Sequence, residues 1–516
     1  MAKDTKEPGA VPERRELGDL RERLARGSDA QRPEAVAKRH ARGFRTAREN
    51  LDDLIDAESL VEYGGLAIAA QRRRRPEEEL QKETPADGVI TGLARINGAY
   101  FPPAASRCAV VIYDYTVLAG TQGFFHHAKI DRILDVARRQ RLPVVMYTEG
   151  GGGRPGDTDV ATQIAGLNVP TFAAWSALDT GKPRIAVNNG YCFAGNAALF
   201  GAADLRIATR ASNIGMAGPA MIEGGGLGSF EATEIGAAAV QERNGVIDLL
   251  TEDEAAATAA ARRLLWYFQG DSSAVGVGDQ TSLRSCMPQD RRWSYSIRDV
   301  LQILFDRESV TELRRVYGRS VVTALARLDG RAVGVLASDC QQLGGAVDSE
   351  AADKVTRFLT LCDRCGLPVV SLVDTPGFMV GPASEDEGAV HHMSLLFQRA
   401  ASLRVPILAV FLRKAYGLGA MALVGGSFAV PDFAVAWPTG EFGGMGLEGA
   451  VRLGFRKELE ATPTGVERQA LFNRLVDELY AKGKAVEAAS HLEIDAVIDP
   501  AETRAQLIAA LDQPRR

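Results

Sequence analysis

The chain has 516 residues, 46% hydrophobic and 24% charged, which is enough to bury more than one core and too apolar for broad disorder. Its 60 basic and 66 acidic residues are spread along the chain and leave a net charge of -6, which argues against a nucleic-acid footprint. The longest apolar runs, such as 405–412, are far too short to cross a bilayer, and the amino terminus lacks the apolar centre of a secretory signal, so a cytoplasmic protein is expected.

In chain order, residues 1–36 read as a flexible arm, and residues 37–62 as helical. Arg72-Arg73-Arg74-Arg75 suits phosphates as a guanidinium cluster, but a solvated loop ahead of Pro76-Glu77-Glu78-Glu79 is the plainer reading. Residues 37–269 form a first α/β domain, in which apolar strands at 109–113, 144–148 and 184–187 alternate with helices such as 126–138. His126-His127 opens a helix, as His391-His392 does later, and neither doublet has the acidic spacing of a metal-binding helix.

The strand at 144–148 runs into Glu149-Gly150-Gly151-Gly152-Gly153-Arg154. The strand at 184–187 leads through a turn to a helix beginning near Gly195, within Ala194-Gly195-Asn196-Ala197-Ala198-Leu199. The first amides of such a helix have no intrahelical acceptor and face the positive end of its dipole, the arrangement of an oxyanion hole. Gly224 to Gly226 with Gly228 do not form a dinucleotide fingerprint, because no strand and helix flank them in the required register.

A linker at 270–295, rich in Asp, Ser and Gly, precedes a second α/β domain at 296–516 that starts with a helix at 296–304. Cys362-Asp363-Arg364-Cys365 ends a helical stretch and lacks a second pair, so the six cysteines read as reduced thiols and no metal site is expected.

The second domain repeats the first. Leu93-Ala94-Arg95-Ile96-Asn97-Gly98 returns as Leu325-Ala326-Arg327-Leu328-Asp329-Gly330, and Leu142-Pro143-Val144-Val145 as Leu367-Pro368-Val369-Val370 ahead of Asp374-Thr375-Pro376-Gly377-Phe378. The strand at 407–412 and the turn Lys414-Ala415-Tyr416-Gly417 lead to a second helix start, Leu418-Gly419-Ala420. Separations of 232 (Leu93 to Leu325), 225 (Leu142 to Leu367) and 224 (Leu199 to Leu423) drift too little for chance and point to an internal duplication. Two such turns suit a reaction in which each of two reactants carries an oxyanion, and no Ser-His-Asp or Cys-His pattern stands near either.

The order of these pieces resembles the carboxyltransferase, or β, subunit of biotin-dependent acyl-CoA carboxylases, over about 39–453. The motifs that carry the resemblance are His40-Ala41-Arg42-Gly43, Thr46-Ala47-Arg48-Glu49, Ser59-Leu60-Val61-Glu62, Gly88-Val89-Ile90-Thr91-Gly92, Val373 to Phe378, Arg413 to Gly417, and Ala436-Trp437-Pro438-Thr439-Gly440-Glu441. The resemblance implies an α/β fold of two tandem crotonase-type domains, of the ClpP/crotonase superfamily, assembled as a homo-hexamer. In that family one hole polarises the thioester carbonyl of acyl-CoA, the other holds the ureido oxygen of biotin, and the biotin anion takes the α-proton.

By match, Gly195 and Asn196 hold the enolate with Gly151, Gly152, Gly153 and Ala194 alongside. Gly419 and Ala420 hold the biotin side, lined by Pro376, Gly377, Phe378, Tyr416, Gly417, Leu418 and Met421. The chain departs from the family pattern at the 149–154 run, at Asn196, where a glycine is usual, at Leu418, an insertion that leaves the second register open by one residue, and at Met421, near a position that tunes acyl choice. A short-chain acyl-CoA is the expected substrate. Since the chain holds no Met-Lys-Met and no ATP-binding carboxylase region, biotin is expected on a separate biotin carboxylase/biotin carrier α subunit. Two alternatives stay open: the carboxyltransferase of a biotin-dependent decarboxylase, and a biotin-independent crotonase-type CoA hydratase or hydrolase, which needs an acid such as Glu223 or Glu231 beside the first hole.

Overall fold

The computed structural model describes residues 14–160, 167–273 and 276–513. Runs such as Val369–Thr375, buried at every position, carry side chains suited to a strand covered on both faces, and such strands favour parallel pairing between helices. Two large sheets result. The first takes β1 (Val61–Tyr63), β2 (Val89–Arg95), β3 (Arg107–Tyr113), β4 (Val144–Tyr147), β5 (Arg184–Asn188), β7 (Leu205–Thr209) and β9 (Leu249–Thr251) in that spatial order, while β6 (Tyr191–Phe193) and β8 (Asn213–Gly215) pair apart as a two-stranded sheet. The second takes β10 (Thr311–Leu313), β11 (Val321–Leu328), β12 (Arg331–Ser338), β13 (Val369–Thr375), β14 (Ile407–Tyr416), β15 (Phe433–Ala436) and β17 (Ala496–Val497), with β16 (Glu441–Gly443) beside β14.

Both sheets begin with three antiparallel strands and continue parallel, so the order of the second retraces the first. One difference falls at the site. The strand expected to end at residue 412 runs on to Tyr416, because Lys414, Ala415 and Tyr416 pair with Glu441, Phe442 and Gly443. The residues expected as a turn are therefore strand, fusing what β5 and β6 do separately in the first half.

The helices repeat as well. Phe124–Gln140 and Ser349–Cys365 each end in a left-handed residue, Arg141 and Gly366, and the second is capped at its start by Asp348, whose side chain accepts from Ala351 N. Each buries one lysine ammonium on main-chain carbonyls ahead of a strand: Lys129 donates to Ala86 O (2.7 Å) and Val89 O, and Lys354 to Tyr317 O (3.0 Å) and Gly318 O (3.4 Å). The halves share a core in which Ile185, Leu264 and Tyr267 join a cluster with Val355, Phe358 and Leu423. Arg364 also crosses from the second half to Asp204 and to Leu178 O (2.6 Å).

Three connecting segments differ from expectation. Of the arm expected at 1–36, residues 15–25 are helical, and Arg32 bonds Asp114 and Thr116 at 2.8 Å each. The stretch 37–62 divides: Pro33–His40 ends before Thr46, which caps Ala47–Leu54 in a reciprocal capping box with Glu49, and Val61 and Glu62 join β1. The segment 270–295 is packed rather than free, with a 3-10 turn at Gln280–Ser285 and with Leu283 and Tyr295 buried in the second half's core. The cysteines are all free, and no group of His, Cys, Asp and Glu fit to hold a metal occurs among the described residues. No described helix is long and apolar enough to cross a membrane.

Candidate active site

The first turn follows from how β6 meets the helix Gly195–Gly201. Ala194 stands between them at φ +51°, a left-handed conformation that costs an L-residue on the order of 1–3 kcal/mol and that surrounding bonds must hold. Its amide donates to Gly215 O (3.0 Å), and its carbonyl accepts from Ala198 N (2.9 Å). The amides of Gly195, Asn196 and Ala197 have no acceptor among the described residues. A Cβ on Gly195 would run into Gln122 Oε1 and lie 3.0 Å from the Phe172 ring, so a larger residue there has to push the Gln122 side chain aside.

Asn196 does more than present its amide. Its buried side chain accepts from Gly152 N (3.0 Å) and donates to Thr148 O (3.0 Å) and Gly120 O (3.4 Å). The glycine run is thereby fastened to the turn: Gly150 N donates to Tyr191 O (2.7 Å), Phe193 N to Gly150 O (3.0 Å), and Gln122 N to Gly152 O (2.8 Å). Gly151 and Gly153 remain exposed, and Gly152 between them lies against Ala194.

The second turn is built alike. Tyr416 ends β14, Gly417 takes φ +58°, and the helix Gly417–Leu423 begins, with the amides of Gly417, Leu418 and Gly419 free of acceptors among the described residues. The Pro376-Gly377-Phe378 loop lies against it so closely that a Cβ on Gly419 would stand 2.7 Å from Phe378 N. Leu418 is 60% exposed, so the turn opens outward, and Phe378 packs on Phe397 (centroids 6.0 Å apart).

Backbone landmarks align the two turns. The left-handed residue is Ala194 in one and Gly417 in the other; Phe193 pairs with Gly215 as Tyr416 pairs with Gly443; and a Cβ on Gly152 would lie 3.4 Å from Phe193 O as one on Gly377 would lie 3.3 Å from Tyr416 O. The separation is 223 (Ala194 to Gly417), so Gly195 matches Leu418 and Asn196 matches Gly419. Ala420 comes one residue later, opposite Ala197.

Beneath each turn a strand ends in a buried acid held by an arginine. Glu149 after β4 takes both arms of Arg39 (Nη1 to Oε1 2.9 Å), and burial raises its carboxyl above the ordinary range against the pull of that guanidinium. Asp374 in β13 takes Arg413 Nη2 (2.9 Å) and Lys414 N (3.1 Å). The partner arginine comes from the amino-terminal helix in the first case and from the neighbouring strand in the second. Neither Arg39 nor Gln122 is legible as a site residue in the sequence, because both reach the turns through the tertiary fold.

The other candidates separate from the turns. Glu223 and Glu231 are exposed, and Glu231 caps its own short turn. His126 is buried with Nδ1 3.0 Å from Asp87 O; His127 bonds Thr171 Oγ1 (3.0 Å), and burial with Arg154 nearby pushes it down to about 4. In the arginine cluster, the Arg72 and Arg73 amides donate to Asp159 (3.0 Å each) and Arg75 pairs with Glu79 (2.8 Å), as a surface loop would. A cleft of about 1260 Å³ lies between the helix at Glu77–Glu83 and the amino-terminal helices, lined by Arg32, Lys38 and Arg42 but also by Glu34, Glu78 and Glu83.

Comparison with known proteins places these features in context. The carboxyl transferase domain family matches residues 38–515. The propionyl-CoA carboxylase beta chain of Saccharopolyspora erythraea is 31% identical over 518 residues, covering 96% of this chain and 92% of that one. A solved single-chain, multi-domain long-chain acyl-CoA carboxylase superposes with a TM-score of 0.90 at 53% identity, over 97% of this chain but only 49% of that one, so this chain spans about half its length. The transcarboxylase 12S hexamer, solved with methylmalonyl-CoA and methylmalonic acid bound, superposes with a TM-score of 0.84 at 29% identity, over 100% of this chain and 98% of that one.

Proposed function

The chain belongs to the carboxyl transferase family and is an enzyme of carboxyl transfer, and we propose that its two glycine turns divide the reaction between an acyl-CoA and a carboxybiotin carried on a partner chain. The observation that carries this reading is the pair of turns itself: each offers three consecutive amides without acceptors among the described residues. A hydratase working without biotin needs an acid beside the first hole, and Glu149, the nearest buried carboxyl, is taken up by Arg39.

Carboxybiotin supplies the carboxyl group and the base. This chain supplies the holes. Gly195 and Asn196 hold the thioester oxygen as the α-carbon loses its proton, with Gly151, Gly152, Gly153 and Ala194 forming the wall. Leu418 and Gly419, with Ala420 next in line, hold the ureido oxygen, walled by Pro376, Gly377, Phe378, Tyr416, Gly417 and Met421. One such donor is worth about 3 kcal/mol of transition-state stabilisation. The amides fit both oxygens because nothing else claims them and the second turn opens to solvent.

The same reading makes the two halves crotonase-type units, the arm, first unit, linker and second unit falling at 1–36, 37–269, 270–295 and 296–516. It also makes the working enzyme a cytoplasmic homo-hexamer served by a separate biotin carboxylase/biotin carrier α subunit, without a metal of its own. Lys38 and Arg42, which line the large cleft, suit the CoA phosphates better than the paired Arg72 to Arg75 loop. A short acyl chain remains the proposed substrate.

The test is the reverse half-reaction. Purified chain, free biotin and malonyl-CoA, methylmalonyl-CoA or a long-chain α-carboxyacyl-CoA in turn should lose the carboxyl group fastest with a short chain. Loss only from the long-chain thioester overturns the substrate assignment, and loss that ignores biotin overturns the function.

A further inference from the structure

The duplication supplies an internal control for the second turn. In matching register, Phe193 and Asn213 lie under the first turn, and Tyr416 and Glu441 under the second. The Asn213 carboxamide nitrogen serves as a loop lock, donating to Thr233 O (3.0 Å) and Ile235 O (3.1 Å). The second copy puts ionisable groups in these places. Tyr416 Oη donates to Glu441 Oε2 (2.7 Å) and Arg291 Nη1 stands 3.5 Å from the same oxygen, while Glu441 Oε1, fully buried, has no partner among the described residues. A buried carboxyl oxygen without a donor costs stability, and a carboxamide is available as the safer solution, since the other copy uses one.

We propose that Tyr416 and Glu441 form a positioning pair that shapes the second turn and sets its charge, so that the turn holds an anion when the carboxyl is protonated and loosens its hold when the carboxyl ionises. The inference rests on the reading of this turn as the biotin side. Tyr416 is the residue from which Gly417, Leu418 and Gly419 depart, so its ring anchors the amides directly. An ionised carboxyl behind those amides opposes a second negative charge in front of them.

The groups around Glu441 pull its carboxyl in opposite directions. Tyr416, Arg413 and Lys414 come from β14, Asp374 from β13, Arg291 and Tyr295 from the 270–295 segment, Glu448 from the helix Leu447–Gly454, and Lys484 and Tyr480 from the carboxy-terminal helices. Two acids and the burial oppose the arginines, and burial wins: the carboxyl lies above its ordinary range.

The test follows kcat/KM for biotin against pH in the reverse half-reaction with methylmalonyl-CoA. The wild type should lose activity on the alkaline side. Glu441→Gln still accepts from Tyr416 and cannot ionise, so its alkaline limb should vanish while the KM for methylmalonyl-CoA stays within about twofold. Tyr416→Phe removes a bond that favours the ionised form, so its limb should move to higher pH and its KM for biotin rise about tenfold. An alkaline limb that persists in Glu441→Gln, a flat wild-type profile, or equal changes in both KM values overturns the pair's role. Absence of any biotin-dependent turnover in the wild type overturns the underlying reading as well.

Discussion

Asn196 shows how one residue serves two purposes at once. Its amide faces outward while its carboxamide stitches Gly152, Thr148 and Gly120 together, so the glycine run and the first turn move as one body. Asn196→Ala leaves Gly152 N and two carbonyls buried without partners, each worth about 1–3 kcal/mol, and should lower stability by roughly 2–4 kcal/mol in urea denaturation. Gly195→Ala acts differently. The added Cβ meets Gln122 Oε1 and displaces the donor rather than the fold, so kcat should fall by about 10² to 10³ while the thermal midpoint changes little. A large drop in midpoint with normal kcat per folded enzyme would show that Gly195 is a packing residue only. Gln122 itself could not be picked from the sequence: it lies 73 positions before Gly195, and a parallel bridge to Gly153 in the glycine run brings it there.

Among the elements, the repeated helices carry a pH dependence. Burial of the ammonium pushes Lys354 down to about 7 and Lys129 to about 8, from an unfolded value near 10.5. The unfolded chain therefore binds more protons than the native one between those limits, and stability rises with pH from about 7 to 10.5 and is lost as pH falls through the folded values. Lys354→Met removes half of this dependence, so the wild type should gain stability over the variant between pH 7 and 9 in denaturant titrations; parallel curves would place the native lysine near its ordinary value. The helix starts were legible because small residues follow apolar strands at both 195 and 419. The extension of β14 to Tyr416 was not, because pairing with Glu441 to Gly443 decides it, and a strand of three residues far along the chain gives no local signal.

Taken whole, the molecule is a duplication whose copies have stayed alike in sheet order and diverged under the turns. The Leu-Ala-Arg runs and the Leu-Pro-Val-Val runs were enough to read the repeat; the first, expected to open strands, instead close β2 and β11 at a turn, while the second lead into β4 and β13, whose composition is constrained on both faces. The arginine clamps were hidden, because Arg39 reaches Glu149 from another helix 110 positions away. The halves are joined by a shared core and by Arg364, which holds Asp204 from across the boundary. Arg364→Ala should cost about 1–3 kcal/mol by leaving Asp204 and Leu178 O underpaired, and calorimetry should then show the two halves beginning to unfold apart.

The central claim is that the two turns serve two different reactants. It is tested most directly by Gly419→Pro, which removes one amide from the second turn alone. Biotin-dependent loss of the carboxyl group from methylmalonyl-CoA should disappear while methylmalonyl-CoA still binds with wild-type affinity in calorimetric titration. Turnover that survives the substitution, or affinity for the thioester that falls with it, would contradict the division of labour between the turns.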